Sequence, residues 1–348
     1  LPGIVDLHGD AFERQVMPRP RVTFPLDMAL LETDRQLVAN GVTTAYYGLT
    51  WSWEPGLRGR DAVAAFVEAL ERLRPHLSCD TRLHLRFETY NLDAVDKVEQ
   101  WLAAGRIDLL AFNNHVPLIR DRAAKGALSK FAERAHLSQT DYQALLETMA
   151  ERADRVPESI ERLAAQARRS HIPMASHDDD TPTLRRWYHD LGCRLCEFPT
   201  TAETAEAARA LGDTIILGAP NVVRGGSHTG RLDAAAMVRA GLCTALASDY
   251  YYPALLRAAL VLALPVGTAP GSAAADSAAD FVGDFVAAWP LVSTGPATAV
   301  GLEDRGVIAP GKRADLVLID PGAPARIVAT FVAGVPVHQV GTRHRRNI

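Results

Sequence analysis

Pro2-Gly3-Ile4-Val5-Asp6-Leu7-His8-Gly9-Asp10 is the stretch from which the fold is read. An apolar run closes on an imidazole and a carboxylate two residues apart. Side chains at i and i+2 of a strand share a face, so His8 and Asp10 are expected to reach one metal ion from the end of a single buried strand. A bare His-x-Asp is common by chance. Its place after an apolar run gives it weight, and so do the metal-type residues that close later apolar runs.

Working outward, seven further short apolar runs follow, at residues 42–48, 82–88, 107–112, 172–176, 194–198, 214–217 and 242–247. Most are apolar on both faces, as strands of a buried parallel sheet are. Helical patterns lie between them, at 61–72, 139–152, 157–169, 201–211 and 233–240. Eight strand–helix alternations predict an α/β fold, a TIM-type (β/α)8 barrel rather than an open doubly wound sheet. No Gly-x-Gly-x-x-Gly follows the first strand, which argues against a dinucleotide fold. The Ala/Gly/Ser-rich stretch 267–280 reads as a loop. From Gly306 the texture turns β-like, with strands expected in 311–320, 327–332 and 335–340. The expected organisation is a hydrolase barrel over 1–300 and the C-terminal part of a small, incomplete β-sandwich over 301–348. Its N-terminal part is expected to precede Leu1, because the chain opens directly on a core strand without a methionine.

Composition sets outer bounds. The 348 residues are 48% apolar and 22% charged, ordinary for a globular protein. The net charge of −4 gives no general attraction to nucleic acid, and Arg343-His344-Arg345-Arg346 reads as a solvated tail. The most apolar stretch, 254–264, holds Arg257 and ends before Pro265, too short for a bilayer. No signal peptide is visible. Cys79, Cys193, Cys196 and Cys243 are expected to be reduced, buried thiols of a cytoplasmic protein, since no second pair answers Cys193-x-x-Cys196.

In an α/β barrel the working side chains stand at the C-terminal strand ends. Those ends offer His8 and Asp10, then Glu88, His115, His177-Asp178-Asp179-Asp180, Glu197, the segment Asn221 to His228, and Ser248-Asp249. Imidazole with carboxylate suits zinc, manganese, iron or nickel. Two such ions about 3.5–4 Å apart can clamp a water and lower its pKa towards 7. Asp249 is the candidate catalytic base. Arg224, Gly225, Gly226, Ser227 and His228 form a candidate anion cradle, in which glycines admit close backbone N–H groups and arginine offers a fork. Arg19, with Arg14 and Arg21, could add positive charge at the same mouth. Some alternatives stay open: Glu88 as a partner of Arg86 or Arg82, Glu197 as a ligand or a partner of Arg194, and the three aspartates as partners of His177 or as an acidic turn. His76, His136, His171, His189, His338 and His344 read as structural or surface residues.

These residues resemble a known family. Val5-Asp6-Leu7-His8-Gly9-Asp10 is similar to the first-strand signature of the amidohydrolase superfamily, with aspartate where most members carry a second histidine. Gly306 to Val317 resembles its C-terminal β-domain signature, so the resemblance spans nearly the whole chain. Pro18-Arg19-Pro20, Ser176-His177-Asp178-Asp179, Gly218 to His228 and Ser248-Asp249-Tyr250 resemble one branch, the diphosphatases of the carbon–phosphorus lyase pathway. That branch implies release of pyrophosphate from a ribose 1-alkylphosphonate 5-triphosphate by a homo-oligomeric metal hydrolase. The resemblance implies a divalent ion, zinc first among the options, at His8, Asp10 and Asp249, with Glu88 bridging to a second ion at His115 and His177. No lysine near the fourth strand offers a carbamylated bridge. Asn114-His115-Val116-Pro117 departs from the branch's Asp-His-Thr-Pro, which keeps a C–N hydrolase as the alternative activity. A catalytically silent scaffold is the third option.

Overall fold

The computed structural model describes residues 1–226, 232–264, 284–320 and 325–341. Ser227, His228, the stretch 267–280 and the basic run 343–346 lie outside the described residues.

Eight parallel strands pair in chain order: β1 Ile4–Gly9, β2 Val42–Trp51, β3 Asp80–Glu88, β4 Leu109–Asn113, β5 Met174–His177, β6 Leu195–Glu197, β7 Thr214–Gly218 and β8 Ala245–Ala247. The last strand returns to the first. Asp10 N–H donates to the Asp249 carbonyl at 2.9 Å, and Asp249 N–H donates to the His8 carbonyl at 2.8 Å. This is the expected barrel, and its seam is made by main-chain groups of the candidate ligands themselves.

Two apolar clusters show which way each strand faces. Val5, Leu7, Tyr46, Leu109, Ala111, Ala175, Leu195, Ile216, Ala245 and Ala247 fill the barrel interior. Ile4, Tyr47, Leu83, Leu85, Phe87, Leu110, Phe112, Ile215 and Leu246 belong to the larger cluster shared with the surrounding helices. In β3 the outward residues are thus Leu83, Leu85 and Phe87, and strand alternation turns Arg82, His84, Arg86 and Glu88 inward. In β1 the pairing with β2 is irregular between Asp6 and Gly9. Leu7 belongs to the inner cluster, while the His8 ring lies 5.1 Å from that of His84 and 5.0 Å from that of Phe198, centroid to centroid. A bulge of this kind lets two successive side chains face one side, so His8 reaches the interior by a different route from simple alternation.

The helices follow amphipathic spacing. In Arg60–Leu73 the buried residues Val63, Phe66, Val67 and Leu70 fall at i, i+3, i+4 and i+7. Thr181 and Thr201 cap the helices Pro182–Asp190 and Ala202–Ala210 through their hydroxyls. After β4, helices Val116–Ala124, Ser129–Ala135 and Gln139–Ala150 pack around Ile119, Leu128, Tyr142 and Leu146 as a satellite core. Sequence periodicity finds only the last of these, because the first two are short. β8 is shorter than expected, since Thr244 meets β7 through its side chain as well as its backbone: its hydroxyl receives the Ile215 N–H at 2.9 Å.

Leu316–Asp320, Arg326–Val332 and Val335–Gln339 (β9 to β11) form an antiparallel sheet in the order β11-β10-β9. Among the described residues the expected sandwich is this single three-stranded sheet. It is fastened to the barrel by Thr330 Oγ1 donating to the Val38 carbonyl at 2.7 Å, and by Leu1 and Val317 exchanging backbone hydrogen bonds. All four cysteines are free and buried. No described helix is long and apolar enough to cross a membrane.

Candidate metal centre

The inner face of β3 climbs through the site in levels. At the lowest level His84 Nδ1 meets the Leu7 carbonyl at 3.0 Å. Its Nε2 lies 3.7 Å from Glu197 Oε2, and the same oxygen is 3.2 Å from His8 Nδ1. All three side chains are buried. The carbonyl fixes the proton of His84 on Nδ1, and Glu197 takes the Nδ1 proton of His8. The Nε2 lone pair of each ring is then available. Burial is the leading cause that pushes His84 down to about 3 and His8 well below the ordinary histidine range, so both rings are neutral. Burial pushes Glu197 up, offset in part by His84.

One level higher, Arg86 Nη1 donates to Asp10 Oδ2 at 3.0 Å, and Nη2 lies 3.4 Å from His177 Nε2. His177 also sits well below its ordinary value, through burial and then the charge of Arg86. Asp249 is pushed up to about 7, first by burial and then by the neighbouring charge of Asp10. At the mouth, His115 Nδ1 is 2.5 Å from Glu88 Oε1, while His115 Nε2 and His177 Nδ1 face Asp178 at 3.9 and 3.7 Å. Burial alone would raise Glu88, but His115 holds it below the ordinary carboxylate range.

Among the described residues, three groups of possible ligand atoms each lie within 4.8 Å of one another: His8, His84 and Glu197; His8, Asp10 and Asp249; His115, His177 and Asp178. The first- and eighth-strand candidates therefore lie together, and His115 lies with His177. Glu88 is placed as the ion-pair partner of His115 and belongs to none of these groups. Asp6 fixes the seam behind the site: its carboxylate receives the Ser248 N–H at 3.0 Å, the Ser248 hydroxyl at 2.5 Å and the His8 N–H at 3.3 Å. Of the three aspartates after β5, Asp178 faces the histidines and Asp180 is exposed. Asp179 turns away to pair with the buried Arg185 at 3.1 Å.

The site opens on a cavity of about 380 Å³ lined by Arg86, Arg122, Arg224, His177, Asp178 and Asp249, with Gly226 and Tyr250 at its side. Arg224 ends the helix Ala219–Arg224, and Gly225 and Gly226 follow with φ of 74° and 142°. These are left-handed backbone positions that glycine adopts without strain. Arg19 is exposed, bridges to Val22, and is not among the residues lining this cavity. The sequence reading had missed His84, Arg86 and Arg122. For the first two the signal was present as alternation along 82–88, whose inward parity a single strand cannot reveal.

The donor set fits a divalent ion. His8 Nε2, His84 Nε2 and Glu197 Oε1 are buried without a hydrogen-bond partner, an arrangement that buried polar atoms otherwise avoid. Residues 26–338 match the Amidohydrolase family, and the chain belongs to it, with the metal-dependent chemistry of that family. The chain is 34% identical over 324 residues to the alpha-D-ribose 1-methylphosphonate 5-triphosphate diphosphatase of Escherichia coli (strain K12), a match covering 91% of this chain and 82% of that one. An adenine deaminase of Methylobacterium nodulans is 27% identical across 96% of this chain but only 49% of its own length. Among solved structures, the 5-methylcytosine deaminase of Klebsiella pneumoniae superposes with a TM-score of 0.62 at 14% identity, covering 99% of this chain and 87% of that one. The guanine deaminase of C. acetobutylicum gives 0.58 at 11% identity, covering 97% and 86%. At these identities the two structures speak for the fold alone.

Proposed function

We propose that this enzyme releases pyrophosphate from a ribose 1-alkylphosphonate 5-triphosphate, the activity class that the Escherichia coli relative's name describes. The observation that carries the reading is the convergence of Arg86, Arg122 and Arg224 on the one cavity that also holds His177 and Asp249. Three guanidinium groups over two carboxylates suit a polyanionic chain better than a neutral amide.

His8, Asp10 and Asp249 would hold the ion, with zinc the first choice and manganese, iron or nickel the others. When bound, such an ion supplies Lewis acidity and lowers the pKa of a coordinated water. The residues do the rest. Glu197 holds the His8 tautomer by accepting from Nδ1. Asp249 takes a proton from the attacking water at its carboxylate. Arg122 and Arg224 grip phosphate oxygens at the mouth, while the N–H groups of Gly225 and Gly226 cap the preceding helix at the Val222 and Asn221 carbonyls. We assign this chemistry to the barrel, 1–300, and a supporting role to 301–348. The reading expects a cytoplasmic homo-oligomer, and four buried thiols suit a reducing compartment.

The test is a pyrophosphate-release assay on ribose and nucleoside 5′-triphosphates. Arg224→Ala should cut kcat/KM by about a hundredfold, the order expected for a lost charge-assisted contact to the reacting group. The deaminase relative supports a second reading, hydrolysis of a C–N bond. Undiminished turnover of a triphosphate by Arg224→Ala, or turnover confined to cyclic amides and aminated bases, would favour that second reading. A catalytically silent chain would bind less than one ion and turn over neither class.

A further inference from the structure

Arg86 sits among the candidate ligands rather than at the rim. It is 6% exposed, and its two terminal nitrogens reach Asp10 Oδ2 at 3.0 Å and His177 Nε2 at 3.4 Å. A guanidinium offers donors and no acceptor, so at His177 it must meet the Nε2 lone pair. The ring proton then lies on Nδ1, the atom 3.7 Å from Asp178 Oδ1. A nitrogen carrying its proton cannot ligate. The group His115, His177 and Asp178 therefore loses an imidazole ligand as long as Arg86 stays where it is. Asp10 Oδ2 is engaged as well. A divalent ion placed against either atom would lie within contact distance of a buried positive charge, where like charges repel strongly because little water screens them.

We propose that Arg86 is the second cation of this centre: its guanidinium takes the position between Asp10 and His177 that a second divalent ion would occupy, and the enzyme holds a single divalent ion at His8, Asp10 and Asp249. The proposal rests on the metal-hydrolase reading above and deepens it. Arg86 also lines the substrate cavity, so its remaining donors meet a phosphate oxygen without any second ion. The consequence is a centre whose second positive charge is supplied by the polypeptide, and whose occupancy of that place does not depend on metal supply.

The experiment is metal stoichiometry, which is independent of turnover. Protein stripped with chelator and dialysed is titrated with Zn²⁺ and separately with Mn²⁺ by calorimetry, with elemental analysis of the loaded protein. The wild-type chain should bind one ion per chain, Arg86→Lys one, and Arg86→Met two, because neutralising the position frees Asp10 Oδ2 and His177 Nε2. Two ions in the wild-type chain, or one in a folded Arg86→Met chain, overturns the proposal. Should Arg86→Met fail to fold, the wild-type count decides alone. Absence of binding by all three chains would overturn the metal-hydrolase reading itself, and the proposal with it.

Discussion

Glu197 shows how much a single buried carboxylate can decide. It lies beneath His8 and His84 and touches both through one oxygen. Partners of this kind orient metal-binding histidines and raise their basicity, and their loss commonly costs 10–100-fold in metal affinity, about 1.4–2.7 kcal/mol. Glu197→Gln should weaken metal binding by that order in a competition titration against a chelator of known affinity, while Glu197→Asp retains part of it. Wild-type affinity in Glu197→Gln would mean that the carboxylate merely fills space. Asp249→Asn should lower kcat by about 10²–10⁴-fold, the range of general-base contributions, and flatten the limb of the pH–rate profile that Asp249 governs. At this scale much was legible. His8, Asp10, His177 and Asp249 stood out because each closes an apolar run, and the structure brings them together. Glu197 was open between ligand and salt bridge, and the sequence offered Arg194 as partner. Arg194 instead turns to His189, at 2.7 Å from Nδ1. His84 and Arg86 were hidden because two polar side chains on one strand look the same whether they face solvent or core.

Elements explain why such charges can be buried. β3 carries Arg82, His84, Arg86 and Glu88 inward, the last three each facing a partner from another strand or loop and Arg82 pairing with Asp80 of its own strand, and Leu83, Leu85 and Phe87 outward against helices. At the foot of the same strand Asp80 receives Arg305 at 2.5 Å and Arg82 at 3.2 Å, tying the barrel to the segment before β9. Burial alone would raise Asp80, but Arg82 and Arg305 lower it overall. A carboxylate whose folded pKa lies below its unfolded value adds stability above the unfolded value, near 3.9. That stability disappears as pH falls through the folded value. Asp80→Asn should therefore lose about 2 kcal/mol at pH 7, and its urea midpoint should converge with the wild type as pH falls through the lowered folded value of Asp80. A difference independent of pH would assign the effect to packing. Arg185 makes a second such knot, paired to Asp179 and Asp213 with all three side chains buried. Arg185→Met removes the buried cation beside Asp179, leaves Asp213 to His189, and should cost about 3–5 kcal/mol in chemical unfolding. The strands were readable because parallel strands buried on both faces leave long apolar runs. The helices around residues 116–135 were not, because their stability comes from packing against Tyr142 and Leu146 more than from their own periodicity.

For the whole molecule, the eight alternations were enough to specify a barrel, but nothing in one sequence showed how the barrel would be locked. Gly295 contributes at the base, where an added Cβ would strike the Thr244 carbonyl just ahead of β8. Gly295→Ala should lower thermal stability by several degrees, whereas the same change at Gly301, which meets nothing nearby, is opposed only by its φ of 71°. Chelation should lower the melting midpoint too, because an ion bound only by the folded chain stabilises it by mass action. An unchanged midpoint after complete metal removal would show that the centre forms without help from its ligand. The seam adds a consequence in time. During translation His8 and Asp10 emerge with β1, and Asp249 follows only after seven further strands have been made. Until β8 leaves the ribosome, the opening strand has neither its final neighbour nor its chemistry. The ligand set is complete only once the last strand has paired with the first, a contact of long sequence separation of the kind whose loop-closure entropy slows folding.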